Sequence, residues 1–209
     1  MEHSLNSLWL DLRQRMAPSV TVPHTSLSIR IPGGTTLWLG KFTDHGPSRV
    51  DWSQGHLSDE ICDTHAAIYR ARPDVGSVLL GGSAFGARLV DVGGRIPLLF
   101  DEQARHLGWM GESADNNAQV EASLRRGGNC LVIRGMPVCL GSTPTRMAMN
   151  AELFEKCAKA YVLASATGQR LTTLPWVVCY VATRRLKKDQ KAACLAFAAG
   201  RMPVETKGY

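Results

Sequence analysis

The sequence predicts an α/β domain in which a mixed, mostly antiparallel sheet carries helices packed on its faces. Three observations lead there. Residues 26–31 alternate Leu27, Ile29 and Ile31 with Ser26, Ser28 and Arg30, the period-two pattern of a strand with one buried face. Beyond Thr143-Pro144, the positions Met147, Ala151, Phe154, Ala158, Tyr161 and Ser165 recur at steps of four and three, the buried stripe of a long helix. Segments of both kinds interleave along the chain, and no internal repeat or low-complexity tract interrupts them.

The elements follow in order. Leu5, Leu8, Trp9 and Leu12 give an opening helix to about Met16, with Pro18 just beyond it. Pro32-Gly33-Gly34 turns the first strand into a return strand over residues 35–42, and a short strand is expected at 49–52. Ser58 is expected to cap a helix that has Asp59 and Glu60 in its first turn and ends before Pro73. Residues 77–80 form a short apolar strand broken by Gly81-Gly82, after which Ser83 caps a helix to about Val90. Helices follow at 101–107 and 116–126, the latter stopped by Gly127-Gly128, then paired strands at 129–133 and 138–140. Thr143-Pro144 opens the helix expected to be the longest, ended by Gly168. Residues 176–181 read as a late strand and 187–199 as a closing helix.

Composition bounds the function. A length of 209 residues suits one large core, so 1–209 reads as a single domain. With 44% hydrophobic and 20% charged residues, disorder of the whole chain is excluded. No apolar run approaches the roughly 18 residues of a membrane span. Met1-Glu2-His3-Ser4-Leu5 lacks the basic stretch and apolar block of a secretory signal, so the cytoplasm is expected and a membrane partner is not. The six cysteines lack any close pair, as suits reduced core residues rather than a disulfide framework. The net charge of +6 owes much to Arg184-Arg185-Leu186-Lys187-Lys188. Such a cluster can attract nucleic acid, but no aromatic residues interleave with it, so a solvated helix start is expected instead.

Three blocks carry a family resemblance: residues 65–75 (HAAIYRARPDV), residues 96–108 (IPLLFDEQARHLG), and CLVIRG at 130–135 continuing through Leu140-Gly141 into AELFEKCAKA at 151–160. In order and spacing they resemble the class II aldolase/adducin family. The resemblance implies a three-layer α/β/α domain with a mostly antiparallel sheet, often a tetramer with active sites between subunits. It also implies zinc held by three histidines, acting as a Lewis acid on an enediolate while a carboxylate moves the proton.

At the positions matching that pattern, this chain departs from it. The His-x-His pair falls on Leu80 and Gly82, and the third histidine on Met136. None supplies an imidazole, so no metal and no cofactor is expected. The acid/base glutamate falls on Ile61, with Glu60 one residue away. Of the phosphate-binding features, Ser26 and Ser58 remain as hydroxyls, and the Gly81-Gly82-Ser83 helix start offers backbone N–H groups to an anion; an ordinary cap and a tight turn are the alternatives. Arg134 could bind an acidic ligand bidentately. Glu102 and His106 are further weak catalytic candidates, with a solvated helix as the alternative, and Cys130 or Cys139 could be a reactive thiol near the pocket.

These residues lead to a degenerate aldolase-like protein acting as a binding, scaffold or regulatory subunit. It is expected to be a homo-oligomer, with a tetramer as the form the resemblance implies, beside an active paralogous subunit or a small anionic metabolite. The alternative is a metal-independent lyase or isomerase on a small carboxylated or phosphorylated metabolite.

Overall fold

A computed structural model describes residues 2–53, 59–82 and 84–205, of which the side chains of 2 and 3 are left aside. The elements run α1 (Glu2–Met16), β1 (Ser26–Arg30), β2 (Thr36–Lys41), β3 (Ser48–Asp51), α2 (Glu60–Ala71), β4 (Ser77–Leu80), α3 (Ala84–Ala87), α4 (Asp101–His106), α5 (Asn117–Leu124), β5 (Cys130–Ile133), β6 (Met136–Gly141), α6 (Pro144–Ser165) and α7 (Trp176–Ala198). The strands form one sheet in the order β3-β2-β1-β4-β6-β5. Every pairing between these strands is antiparallel, and a lone parallel bridge joins Ala114 to Ile133 at the edge.

Alternation along the strands separates two cores. On one face Leu27, Ile29, Leu79, Cys130, Val132 and Cys139 meet Leu5, Trp9 and Leu12 of α1 and Met147, Ala151 and Phe154 of α6. On the other, Leu37, Leu39, Val78, Leu80, Leu131, Val138 and Leu140 meet Ile68 and Tyr69 of α2 and Val120 and Leu124 of α5. The result is the three-layer arrangement, with α1 and α6 on one side and α2 and α5 on the other. Two helices start where expected, each on a side-chain cap. Thr143 accepts from the Arg146 amide at 3.1 Å and Asn116 from the Gln119 amide at 3.2 Å.

Three elements differ from expectation. The N-cap of α2 is Asp59, which accepts from the Cys62 amide at 3.3 Å; Ser58 lies outside the described residues. The helix expected after Ser83, itself outside the described residues, is a single α-turn continued as a 3-10 helix, Arg88–Val92. Residues 176–181 are the first two turns of α7 rather than a strand. At 23 residues, α7 also exceeds the 22-residue α6. The cause is tertiary: Cys179, Thr183, Leu186, Ala193 and Phe197 recur at three- to seven-residue steps and are the buried positions of one continuous helix.

Among the described residues, no helix is long and apolar enough to cross a membrane.

Candidate functional site

The β4 C-terminus, the β5–β6 hairpin and the start of α2 converge at one end of the sheet. Ile133 pairs with Met136, which leaves a two-residue turn of Arg134 and Gly135. Both have positive φ, 48° and 76°, as a type I′ turn demands. Asparagine or glycine usually occupies the first of these places, so Arg134 needs compensation. Its guanidinium lies 3.2 Å from Glu60 Oε1 and donates to Thr64 Oγ1 at 3.1 Å and Asn117 Oδ1 at 3.3 Å. Asn117 in turn donates to Asp63 Oδ2 at 2.7 Å. Hairpin, α2 and α5 are thereby tied together. Because the Glu60 side chain is 72% exposed, the ion pair itself contributes at most about 1 kcal/mol.

Beneath this polar layer the site is apolar. Leu80 is 1% exposed and shares a cluster with Ile68, Ile133 and Val138, against which Ile61 and Met136 pack. Of the neighbours at the start of α2, Ile61 therefore joins the core while Glu60 reaches Arg134.

The glycines after β4 are committed to backbone contacts. The Gly81 amide donates to the Pro137 carbonyl at 2.8 Å, the Gly82 amide to Thr25 Oγ1 at 3.0 Å, and the Gly82 carbonyl accepts from Thr21 and Val22. Their φ values are 93° and 119°, and a Cβ on Gly81 would approach Thr25 Oγ1 to 2.5 Å. The start of α3 is also filled. Both oxygens of Glu155 accept from its amides, Phe85 at 3.0 Å and Gly86 at 2.9 Å. The expected anion slot thus holds a carboxylate of this chain, delivered by α6 across the fold. Local spacing carries no signal for that residue.

Ser26 is buried in a different role. Its hydroxyl lies 2.9 Å from His65 Nε2, and Ser28 Oγ lies 2.7 Å from Nδ1 and 2.9 Å from the Tyr69 hydroxyl. Ser77 Oγ donates to the Ser28 carbonyl at 2.8 Å. His65 is fully buried, and desolvation pushes its pKa down to about 3, opposed weakly by Asp59. The neutral ring therefore serves as a pin between α2 and the sheet. A group whose native pKa lies below its ordinary value stabilises the fold above that value and loses the contribution as pH falls. Stability to urea is accordingly expected to decline on acidification from about pH 6.5 toward pH 5, with His65 contributing a slope of roughly 1 kcal/mol per pH unit. A His65→Asn variant should show a flatter slope across that window; an unchanged slope would exclude His65 as its source.

Glu102 and His106 lie elsewhere. His106 Nδ1 is 3.4 Å from Arg146, beside the Arg105–Asp189 pair at 3.0 Å, in a small cavity that also includes Asp74, Asn129 and Ser142. That cavity sits past the Ser77–Gly141 end of the central strands, opposite to Leu80 and Met136. Burial and the Arg146 and Arg105 charges hold the His106 pKa low. Glu102 is at the surface, 3.8 Å from Lys156. These two residues are not brought together with Glu60.

The thiols are also unsuited to chemistry. Cys130 and Cys139 face one another in the core, and burial raises both pKa values, as it raises those of Cys62 and Cys157 to about 11. A cavity of about 210 Å³ opens beside Gly82, lined also by Met16, Leu79, Ala151 and the Arg15, Glu152 and Glu155 side chains; it carries more acid than base and does not suit an anion.

A zinc ion of the family kind needs three nitrogen or oxygen donors around one point. Among the described residues, no three His, Cys, Asp or Glu side chains are grouped in that way. The positions that the sequence resemblance singles out present a buried Leu80, a glycine at φ 119° and a partly buried Met136. None of these three positions supplies a nitrogen or carboxylate donor.

No family model and no curated protein sequence matches the chain. Solved structures do. L-fuculose 1-phosphate aldolase from Glaciozyma antarctica PI12 superposes with a TM-score of 0.68 at 15% identity, over 92% of this chain and 85% of that one. YgbL from Escherichia coli, a candidate aldolase/epimerase/decarboxylase, gives 0.70 at 19% identity over 87% and 99%. L-fuculose-1-phosphate aldolase from Thermus thermophilus gives 0.62 at 13% identity over 80% and 98%. The chain therefore has the class II aldolase fold: one antiparallel six-stranded sheet between helical layers, matched over most of its length.

Proposed function

We propose that this chain is a class II aldolase-like protein without the zinc site and without the aldol chemistry, serving as a non-catalytic binding, scaffold or regulatory subunit. The observation that carries the reading is the packing at the end of β4. Leu80, Ile61 and Met136 belong to one apolar cluster, where a metal-dependent aldolase requires imidazoles and a carboxylate. The polar groups above that cluster support it, because Arg134, Glu60, Thr64 and Asn117 satisfy one another. Glu60 is engaged in an ion pair with Arg134, and the thiols with raised pKa values are weak nucleophiles. The metal-independent lyase reading consequently has no poised acid, base or nucleophile among the described residues at this end of the sheet.

The test is a retro-aldol assay. L-fuculose 1-phosphate, named for two of the structural neighbours, is offered to the purified protein with added Zn²⁺, Mn²⁺ or Co²⁺. No cleavage above the protein-free rate is expected. Metal-stimulated turnover would overturn the proposal, and turnover that resists chelation would restore the lyase alternative.

A further inference from the structure

The cavity beside Gly82 lies on the face of the sheet opposite to the Leu80 cluster. Residues of α1, β4 and α6 enclose it, and its inner wall is Met16, Leu79 and Ala151, all buried. Its volume of about 210 Å³ exceeds the roughly 150 Å³ of an apolar cavity that holds a benzene-sized molecule. At the mouth Arg15 of α1 meets Glu152 of α6, Nη2 to Oε1 at 2.7 Å, with the side chains 49% and 57% exposed. A second carboxylate, Glu155, stands about one turn further along α6, where the Phe85 and Gly86 amides donate to it.

The charge around this space is unbalanced. Two carboxylates three residues apart on one helix repel each other, and a single guanidinium answers them. The following cations of α6 are directed elsewhere, Lys156 to Glu102 at 3.8 Å and Lys159 over the Phe85 ring at 5.6 Å. Apolar walls strengthen the remaining negative potential, because they exclude the water that would screen it. A carboxylate offers about four acceptor positions. Glu155 gives two to the amides and Glu152 gives one to Arg15, so each retains room for further N–H donors.

We propose that this cavity binds a small primary ammonium compound with an apolar body, the body against Met16, Leu79 and Ala151 and the ammonium between Glu152 and Glu155. Three features select this class. A bare divalent ion would leave the apolar wall unused, and among the described residues no three ligating side chains are grouped to hold one. A quaternary ammonium calls for an aromatic cage, and among the described residues no aromatic side chain lines this space. An anion would meet two carboxylates. The inference rests on the binding-subunit reading above, to which it adds a class of ligand. Its test measures occupancy while that reading is tested by turnover, so each can fail alone.

Calorimetric titration of the full chain with phenethylammonium chloride is expected to show saturable one-to-one binding, about tenfold tighter than phenethyl alcohol. Phenylacetate should not bind. Glu152→Gln should weaken the amine several-fold, whereas Arg15→Gln, by removing the competing cation, should tighten it. Ala151→Leu should fill the space and abolish binding with the far-UV circular dichroism unchanged. If that variant fails to fold, the opposite responses of the two surface variants provide the readout. Absence of saturation at millimolar amine would overturn the inference. So would equal affinity for the alcohol or the acid, binding that survives a folded Ala151→Leu, or Glu152 and Arg15 variants that leave it unchanged or shift it in the same direction.

Discussion

Leu80→His is expected to cost the fold about 3 kcal/mol or more, and zinc is not expected to return it. Leu80 is 1% exposed and sits between Ser26 and Val138 on its neighbouring strands, with Ile61, Ile68 and Met136 in the same cluster. Removing a buried leucine alone costs about 2–5 kcal/mol. An imidazole in its place adds a polar group to an apolar cluster, and the neighbouring Ser26 hydroxyl already bonds to His65. Urea unfolding monitored by circular dichroism measures the loss. A metal-binding relative would respond oppositely at this place, because a histidine there would be stabilised by the ion it holds. A Leu80→His protein as stable as the native one, or one whose Tm rises with Zn²⁺, would show that the pocket has remained a site rather than become core.

Asp74→Ala is expected to be comparably damaging, by about 3–5 kcal/mol. Arg72 and Asp74 are 6% and 7% exposed, and their side chains meet in a bidentate pair at 2.7 and 2.6 Å. Arg72 also donates to the Gly128 carbonyl at 2.6 Å and to Asn129 Oδ1 at 3.0 Å. Asn129 continues the network to the His106 carbonyl at 2.8 Å and receives Gln190 of α7 at 3.3 Å. The pair therefore joins the α2–β4 connection to β5 and α7. Without the carboxylate, a buried guanidinium keeps only neutral acceptors, which is why removing one partner costs more than the pair itself contributes. Chemical denaturation of Asp74→Ala beside Asp74→Asn would separate lost charge from lost shape. A loss under about 1 kcal/mol, the scale of a solvated pair, would mean that water reaches Arg72.

Much of this architecture is legible in the sequence itself. The alternation of residues 26–31, the stripe of α6 and the helix starts at Thr143 and Asn116 depend on neighbours along the chain, and each appears where expected. α7 marks where local patterns cease to suffice. Trp176, Val177, Val178, Tyr180 and Val181 look like a strand because β-branched and aromatic residues favour the pleated sheet, yet Cys179 and Thr183 dock the segment as a helix. The apolar side chains on its outer arc mask the spacing of the buried ones.

The candidate site divides in the same way. The types of Leu80, Ile61 and Met136 already suggest a shared apolar environment, and the cluster joins them. Ser26 pairing with His65, and Glu155 capping α3 from 69 and 70 residues away, have no such signature. Each of those contacts joins separate layers or elements of the fold, and nothing in a local window records it. Glu102 and His106 fall away from the hairpin for a related reason: resemblance places them on a helix but not relative to Glu60.

The most direct test of the proposed absence of a zinc site is equilibrium dialysis of the native protein against micromolar Zn²⁺, with bound metal counted by mass spectrometry. Substoichiometric zinc, unchanged by Met136→Ala, is the expected result. One tightly bound zinc per chain, lost on substitution at Met136 or Glu60, would contradict it.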